Sequence, residues 1–353
     1  MSGARALLAW LGLARPAAND ASIGGMLKDA YHANLQATLR SPVAAWRDWR
    51  ALNDLRATMR ELADQLPCQE GVPALHFVYG LKQVEEFPFY AYVAVISAQA
   101  HHPNAKTFFF IGYEPVGRFW ELLKPRIHLV KVPNFNWFGV AKVHHYAHKA
   151  DMIRLMAICE IGGLYLDCDT ITLASMDELA VHNFVLGVQQ TIPGAMGGFC
   201  NAIMLCKRNS SFARYWLNTY RSFNSKGRDL HWDFHSVKLP MYLYSKQTDD
   251  VHVLKHDKWF FPLWNHIYGF MFATDNLAPK RELLQGQYAI HLWHNMVAET
   301  LDAWSPGRMI IEPCLYAELC LKAFALLPEL ERAQVFAGLG IDNVPRMTLE
   351  VVA

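Results

Sequence analysis

No Cys-x-x-Cys pair occurs in the chain. Its seven cysteines (Cys68, Cys159, Cys168, Cys200, Cys206, Cys314 and Cys320) are odd in number and scattered. That pattern argues against a disulfide framework and structural zinc, and for a reducing compartment. Also lacking is any run of the roughly 18 apolar residues that a membrane helix needs. The short run Ala6 to Ala14 follows Arg5, meets Arg15-Pro16 at once, and cannot span a bilayer. It reads first as a helix packed on its own domain, with a helix lying on a membrane surface as the alternative. Charge of one sign is missing too: the formal net charge is +1 and no long Lys/Arg block stands out. No electrostatic field therefore argues for a nucleic-acid partner. Internal repeats and low-complexity segments are absent.

Apolar and aromatic residues are abundant: 353 residues are 52% hydrophobic, 13% aromatic and only 18% charged. That supplies a sizeable core for one large domain with additions, or for two domains. Residues 1–70 read as a helical extension, with helical spacing clearest from Trp46 to Leu66. Gly71-Val72-Pro73 interrupts it, and Leu75 to Leu81 then reads as a buried strand. A helix over Phe89 to Ala100 leads to a second strand, Lys106 to Ile111, completing a βαβ unit. A short helix over Arg118 to Lys124, a strand over His128 to Val132 and a helix over Val143 to Ile161 follow. The alternation predicts a largely parallel α/β sheet. A tail from Glu312 to Leu339 returns to helix. The divisions are thus 1–70, a catalytic segment 71–300, and a helical segment 301–353 packed on the core.

The most informative stretch is Gly162-Gly163-Leu164-Tyr165-Leu166-Asp167-Cys168-Asp169. Side chains alternate across a strand, so Asp167 and Asp169 share a face and can address one cation while Cys168 points away. Oxygen ligands select a hard divalent ion, magnesium or manganese, which bridges carboxylates to substrate phosphates. In the preceding helix Met152, Leu155, Met156 and Cys159 make an apolar stripe. Asp151 and Arg154, three apart on its flank, read on spacing alone as an ordinary surface ion pair. The two glycines read as a helix C-cap, with close approach of backbone to a ligand as the functional alternative.

Taken together, Ala150-Asp151-Met152-Ile153-Arg154, a helix of fitting length and Gly-Gly-x-Tyr-x-Asp-x-Asp resemble the DXD signature of sugar transferases, and the chain is similar to glycosyltransferase family 32 over roughly residues 73–300. That family resembles the catalytic domains of α1,4-galactosyltransferases, yeast initiating mannosyltransferases and the large glucosylating toxins. The resemblance implies a GT-A fold, a nucleotide-sugar-binding α/β/α sandwich with its ligand at the carboxyl ends of the parallel strands. It implies Mn2+ (or Mg2+) held by Asp167, Asp169 and His291, with His294 as second choice. Asp151 and Arg154 would hold donor sugar and phosphate, Gly163 and Tyr165 would lie beside the donor, and Asp167 would reach metal or ribose. Asp151, Arg154 and Asp169 would carry the catalysis. Without the resemblance, His291 in Tyr288-Ala289-Ile290-His291 reads as a half-buried histidine bonded to backbone.

Two positions depart from the family pattern. Leu239-Pro240 stands where a Gly-Pro pair is usual, and Ala150 replaces the usual serine. On the acceptor side, Asp233 and His235 could orient a hydroxyl or serve as caps and surface groups. The cluster Trp259, Phe260, Phe261, Trp264 and Tyr268 fits core filling better than sugar stacking. His144 and His148 have the spacing used by zinc proteases but lack the intervening glutamate.

The expected activity is retaining transfer of a hexose from a nucleotide-sugar, a UDP-sugar first, to a hydroxyl of a glycan or glycolipid; a protein acceptor also fits. A bacterial cytoplasmic enzyme of polysaccharide biosynthesis, at most peripheral at the inner face of the membrane, is the matching location. The enzymatic rival is a haloacid-dehalogenase-type phosphatase with Asp167 as nucleophile and Asp249-Asp250 as its later acidic pair. A non-catalytic sugar-nucleotide binder is the third reading.

Overall fold

The computed structural model describes residues 23–67, 70–246 and 251–341. The apolar run near the N-terminus and Asp249-Asp250 lie outside them. Two helices come first, α1 (Ile23–Arg40) and α2 (Pro42–Asp64). Then β1 (Ala74–Tyr79), α3 (Phe89–His101), β2 (Lys106–Ile111), α4 (Arg118–Leu123) and β3 (His128–Lys131) follow the order read from the sequence. A hairpin, β4 (Trp137–Phe138) and β5 (Ala141–Lys142), leads into α5 (Tyr146–Glu160) and β6 (Gly163–Leu166). After β7 (Thr170–Thr172) come the long strands β8 (Phe184–Ile192) and β9 (Ala195–Cys206), then β10 (Val251–Leu254) and β11 (Ala289–His291).

Seven strands form one sheet in the order β10-β8-β9-β6-β1-β2-β3. Its pairs are parallel except those made by β9, which alone runs against the other six. Both faces are covered, which is why β1 and β2 read as continuous apolar strings and not as alternating ones. Leu75, Phe77, Phe109 and Leu164 face α3 and the C-terminal helices Leu315–Ala325 and Glu329–Leu339. Ala74, Val78, Phe108 and Tyr165 face α2, α5 and the helix Ser211–Thr219. Full burial of a phenylalanine such as Phe109 contributes roughly 2–3 kcal/mol. The result is the α/β/α sandwich expected. The chain extends the sheet from β1 to β3 in one direction and then places β6 on the other side of β1. This topological switch is where open α/β sheets bind ligands.

The helix expected to start at Val143 begins at Tyr146, because His145 caps it by accepting the Ala147 N–H on Nδ1 at 3.1 Å. His144 is therefore off the helix. The side chain of His148 is buried, with Nε2 3.1 Å from the Trp232 carbonyl, so no histidine pair faces out from one helical turn. Cys159, Cys168, Cys200, Cys314 and Cys320 are buried free thiols.

Candidate active site

Each glycine after α5 is dictated by backbone. Gly162 has φ +80° and Gly163 +106°, both left-handed values that favour glycine. A Cβ on Gly163 would stand 2.4 Å from the Ala74 carbonyl oxygen of β1. Gly163 opens β6 at its amino end, away from the carboxylates, and is not brought to the cluster; its close neighbour is a strand rather than a ligand. The C-cap reading of the pair holds.

At the carboxyl end of β6 the chain delivers Asp167, on the face toward α5. There Arg154 meets it as a two-pronged fork, Nη2 to Oδ1 at 3.0 Å and Nη1 to Oδ2 at 3.2 Å. Tyr165, two residues earlier on the same face and fully buried, donates its hydroxyl to Asp167 Oδ1 at 2.5 Å. Its ring lies under the guanidinium, 4.7 Å from Cζ. Arg154 also donates to the Asn201 backbone and side-chain oxygens, both at 3.0 Å, while Asn201 Nδ2 donates to Asp151 Oδ1 at 2.8 Å. Asp151 and Arg154 are 3.7 Å apart and buried, so the surface-pair reading of their spacing is overturned. Helical spacing could not reveal this, since the partners come from elsewhere in the chain, Asn201 of β9 and Tyr165 and Asp167 at β6. Burial pushes the Asp167 carboxyl up and Arg154 opposes it, with the shift upward on balance. For Tyr165, burial raises the phenol well above its ordinary value.

Asp169 belongs to a second set of contacts. β7 and β11 pair antiparallel with His291 opposite Thr170, which carries the late histidine to the motif. His291 Nε2 lies 3.3 Å from Asp169 Oδ1, and the His294 backbone N–H donates to Oδ2 at 2.8 Å. His294 turns its ring to Asp302, Nε2 to Oδ1 at 2.8 Å, so of the two candidate histidines His291 aims its ring at the carboxylates. Burial by itself would raise Asp169, but the His291 charge and hydrogen bond and the His294 amide hold it well below the usual carboxylate range. The imidazole of His291, lowered by burial, ends above its ordinary value because of Asp169. Ligand atoms of Asp167, Asp169 and His291 lie within 4.8 Å of one another, the one such cluster among the described residues. Two carboxylates and an imidazole converging so closely fit a divalent cation.

The cluster opens on a cavity of about 510 Å3. Tyr90, His145, Arg228, Trp232, Trp264 and Trp293 help line it, none of them read from the sequence as a cavity residue; for Trp264 core filling was preferred to sugar stacking. Asn201 was missed as well, although a lone amide in the apolar run of β9 is a signal that could have found it. Trp259 and Phe260 are core, as the bland reading held, whereas Trp264 reaches the cavity. Asp233 and His235 are not brought there. Asp233 pairs with Lys238 at 2.8 Å, and His235 is buried against Tyr220 and Phe223 with its pKa pushed down to about 3 by burial. Leu239 and Pro240 are buried at the start of the helix Leu239–Tyr244.

A carboxylate pair and an imidazole at the carboxyl end of a parallel strand, beside the sheet's switch point, define an α/β protein built around a cation-competent site. The family described as "Glycosyltransferase sugar-binding region containing DXD motif" matches residues 94–186, which contain α5, β6 and both aspartates. Over that region, about a quarter of its length, the chain is similar to the DXD-containing glycosyltransferase family. A relative in Cryptococcus neoformans var. grubii serotype A, named "Glucan organizing enzyme 1", is 32% identical over 250 residues, 66% of this chain and 65% of the relative. The chain thus spans just under two thirds of that relative's length. Among solved structures, the PaToxG glycosyltransferase aligns over 80% of this chain and 97% of its own, at 12% identity and TM-score 0.37. The galactosyltransferase LgtC, solved with donor and acceptor sugar analogs, aligns over 74% of this chain and 99% of its own, at 16% identity and TM-score 0.37. Likeness at that level decides nothing further about this chain.

Proposed function

We propose that this protein is a metal-dependent, retaining glycosyltransferase that moves a hexose from a nucleotide-sugar, a UDP-sugar first, to a hydroxyl of a glycan or glycolipid. Residues 71–300 are taken as its catalytic domain, with 1–70 as a helical extension and 301–353 as a helical segment packed on the core. The observation that carries the reading is the convergence of Asp167, Asp169 and His291 at the mouth of the cavity, with Arg154 buried behind Asp167.

Asp167, Asp169 and His291 would hold Mn2+ (or Mg2+). When bound, such an ion neutralises the negative charge that grows on a departing nucleoside diphosphate. The chain's own part is orientation. Arg154 and Tyr165 fix the Asp167 carboxylate, and Arg154 is in turn fixed by Asn201, so the ligand's rotamer is set before any substrate arrives. Asp151 and Arg154 thereby act on the donor through Asp167 and Asn201. On the other side the His294 amide and the β7–β11 pairing fix Asp169. Tyr90, Trp232, Trp264 and Trp293 present rings of the kind that exclude water and stack on sugars. Retention rests on the family resemblance, with attack on the same face assisted by the leaving phosphate.

The phosphatase reading fits less well. Both oxygens of Asp167 are engaged by the Arg154 fork and one also by the Tyr165 hydroxyl, which suits a ligand held in one rotamer and leaves the carboxylate poorly placed to attack phosphorus.

Titration of the purified protein with a panel of UDP- and GDP-sugars, with and without manganese, tests the proposal through binding and slow donor hydrolysis. Manganese-dependent binding and hydrolysis of one donor is expected. Binding of none, with phosphatase activity on small esters and a trapped phosphoaspartate at Asp167, would establish the rival; tight binding without turnover on any donor would favour a non-catalytic binder.

A further inference from the structure

The corner between α1 and α2 has a composition that the active site does not use. Leu39, Val43 and Trp46 are exposed there to 42%, 78% and 38%. Arg40, Arg47 and Arg50 are exposed among them. Val43, Trp46 and Arg50 recur at i, i+3 and i+7, so the first two turns of α2 present them on one face, while Ala45, Asp48 and Leu52 turn to the interior. Arg50 lies with Cζ 5.7 Å from the Trp46 ring. Between Ala30 and Ala51 the sole acidic residue is Asp48. It is buried, where it accepts the Asn136 and Trp137 backbone N–H groups at 2.8 and 3.1 Å as well as Arg47 Nε at 2.9 Å. The corner therefore shows water three arginines, a tryptophan and two aliphatic side chains, with no exposed carboxylate from this segment.

We infer that this corner docks the protein on an anionic phospholipid surface. Arginine guanidinium groups meet phosphate headgroups, tryptophan settles at the boundary between headgroup and chain, and Leu39 and Val43 enter the apolar edge. Charge complementarity selects the occupant: one sign of charge surrounds apolar side chains. Arginine and tryptophan are also enriched at protein interfaces, so a protein contact is the outcome the test must separate from lipid docking. The corner is also coupled to the cavity. Thr38 Oγ1 donates to the Val140 carbonyl at 2.9 Å, and Asp48 holds the start of the β4–β5 hairpin. That hairpin runs on through Val143 and His144 to His145, which lines the cavity. If the active site is read as above, docking holds its mouth in a fixed relation to the lipid surface, as a glycolipid acceptor requires; docking itself does not depend on that reading.

Cosedimentation of the full chain with vesicles of phosphatidylglycerol and phosphatidylcholine, against phosphatidylcholine alone, tests the inference. Binding is expected on the anionic vesicles only, weakening as salt is raised. V43D/W46S is expected to lower the partition coefficient by about tenfold or more, and R40Q/R50Q to lower it and flatten the salt dependence. Both variants change exposed side chains, and their melting temperatures should match the parent's. No binding by the parent at low salt would overturn the inference. So would binding that both variants retain, which would put the contact elsewhere, residues 1–22 included. A parent dimer that V43D/W46S dissociates, without vesicle binding, would make the corner a protein contact and would equally overturn it.

Discussion

At the residue scale, the two aspartates of the motif differ in what surrounds them. Asp167 leans on Arg154 and Tyr165 within the buried side of the site, whereas Asp169 is held by His291 and a backbone amide. Asp169→Ala removes the partner of His291 and one of three converging ligand atoms, with no buried arginine left unpaired. Its expected outcome is loss of metal-dependent turnover by at least about a hundredfold with folding retained, read by donor hydrolysis and a melting curve. A variant with parental turnover and metal response would refute the assignment. Asn201→Ala is expected to act differently. It strips Asp151 of a 2.8 Å hydrogen bond and Arg154 of one acceptor, costing about 1–3 kcal/mol as buried groups lose partners, and urea denaturation would register the loss. The two carboxylates were legible in the sequence because a DXD after an apolar strand is a local pattern, whereas His291 entered only through the family resemblance and on its own residues read as a histidine bonded to backbone. Tyr90 and Trp232 were not legible, because nothing within their own segments marks them, and Asn201 carried only the weak mark of a lone amide in an apolar strand: all three matter through what the sheet brings beside them.

At the scale of elements, the junction of α5 and β6 shows which glycines are required and why. Gly163 combines a left-handed φ of +106° with a would-be Cβ contact of 2.4 Å to the Ala74 carbonyl, so a side chain there must push β6 off β1. Gly163→Ala is therefore expected to destabilise the fold by more than about 2 kcal/mol and to lower activity only through the loss of folded protein. Manganese affinity of the surviving folded fraction should be close to the parent's; a stable variant with impaired donor binding would restore a ligand-facing role. Elements with strong local pattern were read within a few residues, as with β2 (Lys106–Ile111) and α3 (Phe89–His101). The direction of β9 and the β7–β11 pairing were beyond reach. Periodicity says that a segment is extended without saying which partner it takes or which way it runs, and β11 is three residues long.

Over the whole molecule, the sandwich buries several histidines as neutral rings, and this sets its behaviour in acid. His76, on β1, is fully buried with Nε2 2.6 Å from the Gly162 carbonyl, and burial pushes its pKa down to about 4. Burial likewise lowers His101 to about 4 and His235 to about 3. Each ring takes up a proton near pH 6.5 once unfolded but resists it while folded. As pH falls through the window from about 6.5 to 4, the unfolded chain binds more protons than the native one, and stability falls with it. A depression of this size is worth on the order of 3 kcal/mol for one fully buried ring, and less for His101, which keeps some exposure. His291, raised by Asp169 against its burial, acts with the opposite sign but is one group against three. The combined loss rivals the roughly 5–15 kcal/mol that hold a typical domain together. Cooperative acid unfolding is therefore expected between about pH 6 and pH 4, beginning while the carboxylates are still largely ionised. Chemical denaturation at a series of pH values checks this, and His76→Gln, which keeps a polar group near Gly162 without a titrating ring, should shallow the slope in that window without abolishing it. A stability curve that stayed flat down to pH 4 would mean that the buried rings are protonated in the native state, and that the neutral, tightly packed sheet described here admits charge or water at β1.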